Sequence, residues 1–189
     1  MRELWGALFT LLAGTLLHFT YEWSGKNPLV GSFSATNEST WEHLKLLALP
    51  LLVFGAVEYV WVGSSVENFI PVKVLSAFLG MATIVVLFYT YVGIVGRHFL
   101  WADIGTFFVG VLVAYWFSAR LLGTAAFSSP SAAVLGGIGL LALLVGFPLF
   151  TFFPPHIGLF LDPVSRRYGL SPAPDFSGTN GRTKERRGL

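Results

Sequence analysis

Cysteine is absent from the 189 residues of this chain, and charged residues make up only 12% of them. Without cysteine the chain has no disulfides, no thiolate metal ligands and no covalent haem attachment. A soluble domain carries roughly 25% charged residues, so a surface this poor in charge indicates a protein that mostly faces lipid. The small basic excess is concentrated near the C-terminus, which fits a membrane-surface tail better than a nucleic-acid groove.

Long apolar runs dominate what is present, and 54% of the residues are hydrophobic. A helix needs about 20 mostly apolar residues to cross a bilayer. The sequence therefore predicts an all-α integral membrane bundle of five transmembrane helices, over residues 4–21, 44–62, 72–95, 104–122 and 132–153. The first run lacks a clear cleavage site, so we expect a retained span rather than a signal peptide.

These spans divide the chain into a transmembrane domain, residues 1–161, and a polar basic tail, residues 162–189. We expect the end of the tail to be disordered. Pro154 and Pro155 end the fifth span. The mixed polar and apolar residues after them predict a short interfacial segment that folds back over the polar residues.

Lysine and arginine are distributed unequally between the two predicted faces of the membrane. The face that holds the N-terminus has Arg2, Lys73 and Arg120. The other face has Lys26, Lys45, Arg97, Arg166, Arg167 and the basic tail. The positive-inside rule therefore predicts an external N-terminus and a cytoplasmic C-terminus in the cell membrane.

All four histidines fall on the predicted cytoplasmic face, together with several carboxylates. His18 and Glu22 are four residues apart, as are Glu38 and Glu42, so each pair shares one helix face. Spans joined by one loop tend to pack side by side, which brings the two pairs to one seam. His43 follows directly after Glu42.

This arrangement predicts a divalent-metal site, although no known motif matches it. The predicted ligands are His18, Glu22, Glu38, Glu42 and His43. Imidazole and carboxylate groups together suit Zn²⁺, Mn²⁺ or Fe²⁺, and water bound to such an ion becomes a nucleophile near neutral pH. A metal-dependent hydrolase acting on a lipid or amphiphile is the leading function. A secondary polar cluster on the same face comprises Asn37, Arg97, His98, Asp103, His156 and Asp162.

Helix capping explains part of this pattern without a metal. Ser39 and Glu42 have the spacing of a capping box, and Asn37 is also a good N-cap residue. Glu22 has the right spacing for a surface ion pair with Lys26.

Other polar residues also have structural explanations. His18 can be a hydrogen-bonded packing residue, and His98 with Asp103 fits a pairing within one loop. Arg97 fits ordinary positive-inside anchoring, or binding to an anionic lipid head group.

Two other functions remain open from the residues alone. A small-solute or ion transporter or channel is one, but Glu58 is the only ionisable group well inside a span, so the pore would have to form between protomers. A non-enzymatic or haem-binding subunit is the other, with His18 and His43 as the candidate ligands. Five helices make a thin bundle, which is compatible with a homodimer.

Three features together resemble one known family. They are "YEWSGKNPLVGSFSATNESTWEHLKLL" at residues 21–47, the five-span layout, and "PPHIGLFLDPVSRRYG" at residues 154–169. They resemble a family of small bacterial and archaeal multi-pass membrane proteins of unknown function, over nearly the whole chain. The resemblance implies an integral membrane protein and supplies no activity.

Overall fold

The computed structural model describes residues 1–170, which form an all-helical bundle. The helices in chain order are α1 (Arg2–Trp23), α2 (Pro28–Gly31), α3 (Thr40–Trp61), α4 (Phe69–Val95), α5 (Leu100–Leu121) and α6 (Pro130–Phe152). The five longer ones are long and apolar enough to cross a membrane. This confirms the predicted all-α, five-span, multi-pass architecture. The predicted disorder at the end of the tail lies outside the described residues.

Polar residues set where the longer helices begin and end. The Ser39 hydroxyl accepts a hydrogen bond from the Glu42 backbone N–H, so α3 begins four residues before the predicted apolar run. Ser129 caps α6 in the same way, with Pro130 at the first helical position. Gly96 ends α4 at φ 79°, a left-handed conformation that favours glycine.

Helices α3 and α4 form the centre of the bundle. Helix α1 packs against α3 and α5, whereas α4 packs against α3, α5 and α6. Glycines allow the closest of these approaches: a Cβ added at Gly14 would meet the Leu46 carbonyl, and one added at Gly80 would lie 2.9 Å from the Gly110 carbonyl. Helix α6 lies at the edge of the bundle, and most of its surface is available to lipid.

The α1–α3 pairing positions the polar residues of one membrane face. Residues 24–39 return the chain from the end of α1 to the start of α3 and include the short helix α2. The Asn27 side chain accepts from the Leu29 backbone N–H and starts α2, and Pro28 follows it. The loop therefore crosses the end of α1 in a fixed conformation and presents residues 36–39 at the start of α3.

Candidate metal site

Two histidines and one glutamate meet where α1 ends and α3 begins. His18 lies in α1, His43 lies in the first turn of α3, and Glu38 directly precedes the N-cap residue of α3. The two imidazole Nε2 atoms are 3.2 Å apart. The Glu38 carboxylate oxygens lie 3.9 Å from His18 Nε2 and 3.5 Å from His43 Nε2. One potential ligand atom from each residue therefore lies within 4.8 Å of the other two.

The backbone of the α3 cap orients the His43 ring. His43 Nδ1 lies 2.9 Å from the Ser39 carbonyl oxygen, which can only accept, so Nδ1 carries the proton. In neutral His43 the lone pair is therefore on Nε2, the atom that faces His18 and Glu38. This leaves two arrangements. Either His18 donates an N–H to that lone pair, or lone pairs from both rings point at a shared cation.

The three side chains are half-exposed. The exposed fractions are 31% for His18, 33% for His43 and 50% for Glu38. The Phe19 ring packs beside the His18 ring at a centroid distance of 5.1 Å. The site is thus packed against an aromatic ring on one side and uncovered by protein on another, which leaves space for a further ligand.

Glu42, another predicted ligand, lies in a separate buried ion pair with Lys45. The Lys45 ammonium is 2.7 Å from Glu42 Oε2, and both side chains are almost fully buried. Glu42 also accepts from Thr36 and Thr151, each at 2.9 Å. The ammonium has three further acceptors, the carbonyls of Gly31 and Ser34 and the hydroxyl oxygen of Thr151. Glu42 therefore connects the loop, α3 and α6, and its carboxylate is already saturated with donors.

Glu22, the remaining predicted ligand, is not part of this three-residue group. Its carboxylate lies 3.5 Å from the Lys26 ammonium, one helical turn further along, and both side chains are exposed. This is the surface pairing that the spacing allows.

The α4–α5 turn holds its own polar contacts. His98 Nδ1 lies 3.1 Å from Asp103, and the Tyr91 hydroxyl donates to the other oxygen of the same carboxylate. The Arg97 guanidinium lies 4.6 Å above the Phe99 ring. These residues brace the turn and form a group separate from the three metal-ligand candidates.

The C-terminal segment (residues 154–170) folds back onto the start of α3. The Phe160 ring packs against the Trp41 ring at 4.9 Å, and the Asn37 side-chain amide donates to the Gly169 carbonyl at 3.0 Å. His156 stacks on Tyr168 at 4.6 Å.

Asp162 is used locally within this segment. It accepts from the Val164 backbone at 2.9 Å and from the Ser165 hydroxyl at 2.5 Å, which fixes a turn. His156 and Asp162 therefore stabilise the segment itself rather than joining His18 and His43.

Sequence reasoning missed a buried charge cluster at the opposite end of the bundle. Lys73 lies 2.7 Å from both Glu3 and Glu58, and it connects the starts of α1 and α4 to the end of α3. Sequence reasoning likewise gave no partner for Lys45, which it counted only as one of the positive charges on its membrane face. The signal was available in both cases, because an ionisable residue inside a membrane helix is expected to have a buried partner.

Comparison with known proteins supports one assignment. The model of a family of unknown function (DUF6512) matches residues 4–170, which include nearly all of the five long helices and the three candidate ligands. No curated protein and no solved structure gives a match.

Proposed function

The chain belongs to this family of unknown function, and we propose that it is a divalent-metal-binding membrane protein whose ligands are His18, Glu38 and His43. The observation that carries the proposal is the 3.2 Å separation of two Nε2 atoms that face one carboxylate. Two nitrogens bound to one tetrahedral ion at about 2.0–2.1 Å lie about 3.3 Å apart. The imidazoles are therefore already at the spacing of two ligands on one ion.

The fixed tautomer of His43 supports the same proposal. Metal-ligating histidines typically donate their second ring N–H to a carbonyl or carboxylate. The bond from Nδ1 to the Ser39 carbonyl provides this support and leaves Nε2 free to bind an ion. Glu38 supplies negative charge, which offsets part of the charge of the bound ion.

A two-histidine, one-carboxylate site favours Zn²⁺, and it also suits Mn²⁺ or Fe²⁺. Catalytic zinc sites combine three such ligands with a bound water. Because the three side chains are half-exposed, a water molecule can take the fourth position, and the ion would make that water a nucleophile. We therefore propose hydrolysis as the reaction.

A lipid or another amphiphile is the proposed substrate class. The site lies at the ends of two membrane helices, and Phe19 and Trp23 expose apolar rings beside it on α1. A molecule held with its chain in the bilayer would place its polar group at this depth. The haem alternative receives no such support, because the two Nε2 atoms lie closer together than two ligands on opposite sides of one haem iron would.

Metal content tests the proposal directly. The protein is purified in detergent, loaded with Zn²⁺, dialysed and analysed for bound metal. We expect about one Zn²⁺ per chain, and loss of most of it in His18→Ala and His43→Ala, because two ligands cannot hold the ion as three do. The matched control is His156→Ala, which removes a histidine of the same membrane face that stacks on Tyr168. A helical wild-type protein without stoichiometric metal would overturn the proposal.

For the orientation, we propose a cytoplasmic location for the metal site, the C-terminal segment and the C-terminus. Four cationic side chains are exposed on the histidine face and can contact anionic lipid head groups: Lys26, Arg97, Arg166 and Arg167. Lys45 and Lys73 are buried in ion pairs and therefore do not contribute to this charge difference. The absence of native cysteine allows single-cysteine labelling at Lys26 and Ser128 in intact cells. Labelling of Lys26→Cys but not Ser128→Cys by an impermeant reagent would refute this orientation.

A further inference from the structure

We infer that Asn37 couples the metal site to the C-terminal segment (residues 154–170), so that metal binding and docking of this segment stabilise each other. The inference rests on the proposed metal site, and its test separates the two. Asn37 is here a positioning residue, because it acts through Glu38 and the α3 cap rather than by binding the ion.

The Asn37 side chain makes hydrogen bonds in two directions. Its Oδ1 accepts from the Ser39 backbone N–H at 2.8 Å, which closes a turn with Glu38 at its centre. Its Nδ2 donates to the Gly169 carbonyl at 3.0 Å, 132 residues further along the chain. One side chain therefore holds both the turn that presents a metal ligand and the end of the C-terminal segment.

The other end of this link is also fixed. Gly169 has φ 69°, which favours glycine, and a Cβ added there would lie 3.3 Å from Pro154 and from the Thr151 carbonyl. The Gly169 backbone therefore packs against the end of α6. Phe160 packs on Trp41 in the first turn of α3, so the segment contacts the chain on both sides of Glu38, at Asn37 in the loop and at Trp41 in the helix.

A bound ion would act on the same turn. Glu38 Oε1 is 3.9 Å from His18 Nε2, whereas two ligands of one tetrahedral ion lie about 3.3 Å apart. Binding therefore draws Glu38 inward and restricts the motion of its turn. A restricted turn keeps the Asn37 amide aimed at the Gly169 carbonyl. The two events are thermodynamically linked. If metal binding favours docking of the segment, docking raises the affinity for the metal by the same factor.

Hydrogen exchange of the full chain in detergent, with and without Zn²⁺, measures this coupling. We expect Zn²⁺ to slow exchange in peptides from residues 157–170 by about fivefold or more, the lower end of typical coupling. In Asn37→Asp the acceptor for the Ser39 N–H remains, but the donor to Gly169 is replaced by a carboxylate oxygen. We expect Zn²⁺ still to bind and its effect on these peptides to disappear.

The matched control is Asn27→Asp, which adds the same charge to the same loop. Asn27 accepts from the Leu29 backbone N–H through Oδ1, which aspartate preserves, so the Zn²⁺ effect should remain. Asn37→Ser replaces Asn37→Asp if the latter fails to fold, because a serine side chain is too short to reach Gly169.

The outcomes separate the two proposals. Stoichiometric Zn²⁺ binding with unchanged exchange in residues 157–170 overturns the coupling and leaves the metal site standing. A Zn²⁺ effect that survives in Asn37→Asp overturns the role of Asn37. Absence of Zn²⁺ binding to the wild type overturns both the metal site and the coupling.

Discussion

Replacing Lys45 with methionine tests the buried ion pair that holds the loop over the start of α3. Methionine is also long and unbranched, so the substitution removes the charge while filling most of the same space. It leaves the Glu42 carboxylate, whose side chain is only 2% exposed, without its cation. Thr36 and Thr151 continue to donate to this carboxylate, but neutral donors replace only part of the lost interaction.

The expected loss of stability follows from this burial. Removing one partner of a buried ion pair costs about 3–5 kcal/mol, because the other charge stays buried without compensation. For a protein of this size, 1 kcal/mol corresponds to about 2–4 °C in Tm, so Lys45→Met should lower Tm by about 6–20 °C. The double variant Glu42→Gln/Lys45→Met should recover most of this loss, since it contains no buried charge.

Thermal unfolding in one detergent, followed by circular dichroism, measures these changes. The matched control is Lys26→Met, because Lys26 pairs with Glu22 at 3.5 Å but is 41% exposed. Exposed pairs contribute about 0–1 kcal/mol, so its Tm should stay near that of the wild type. A Lys45→Met protein that melts within about 2 °C of the wild type would refute the reasoning, as would a double variant no more stable than the single one.

The remaining predictions concern the geometry and chemistry of the metal site. Gly14→Val should weaken Zn²⁺ binding by about tenfold or more, because the new side chain meets the Leu46 carbonyl and the Phe107 ring and separates α1 from α3. The control is Gly137→Val, where an added Cβ has nothing within 4 Å, and it should leave the Zn²⁺ affinity unchanged. Calorimetric titration compares the two variants, and equal affinities would contradict the prediction. Zn²⁺ affinity should also fall by about tenfold or more between pH 7 and pH 5, because protons compete with the ion for the imidazole nitrogens. An affinity that does not change over this range would exclude imidazole ligands.

The number of long apolar helices and their approximate ends could be predicted from the sequence because lipid imposes a strict length and composition on each span. The short helix α2 carries no such signal. The predicted starts of α3 and α5 were each four residues late, at 44 against Thr40 and at 104 against Leu100. Both helices begin with a polar or mixed turn, which hydropathy assigns to the loop. The Ser39 cap was recognisable from its spacing, but Glu42 turned out to bind Lys45 rather than complete the capping box.

The candidate site could be predicted only in part. Topology alone placed His18 and His43 on one face of the membrane, but it could not show that their rings touch. That contact depends on the rotation of α1 against α3, which is fixed by the close approach at Gly14. The predicted shared helix face of Glu38 and Glu42 is wrong, because Glu38 lies in the loop before α3. The loop places Glu38 beside the histidines, whereas Glu42 in α3 binds Thr151 of α6.

The sequence by itself determined that this is a five-span helical membrane protein with its histidines on one face. Those properties follow from local composition, because each apolar run must span the bilayer and each polar group must avoid it. Only the tertiary structure decided which carboxylates meet the histidines and which are buried in ion pairs. Helix rotation and loop path set those contacts, and both depend on packing between residues distant in the chain, such as Asn37 with Gly169 and Lys45 with Thr151.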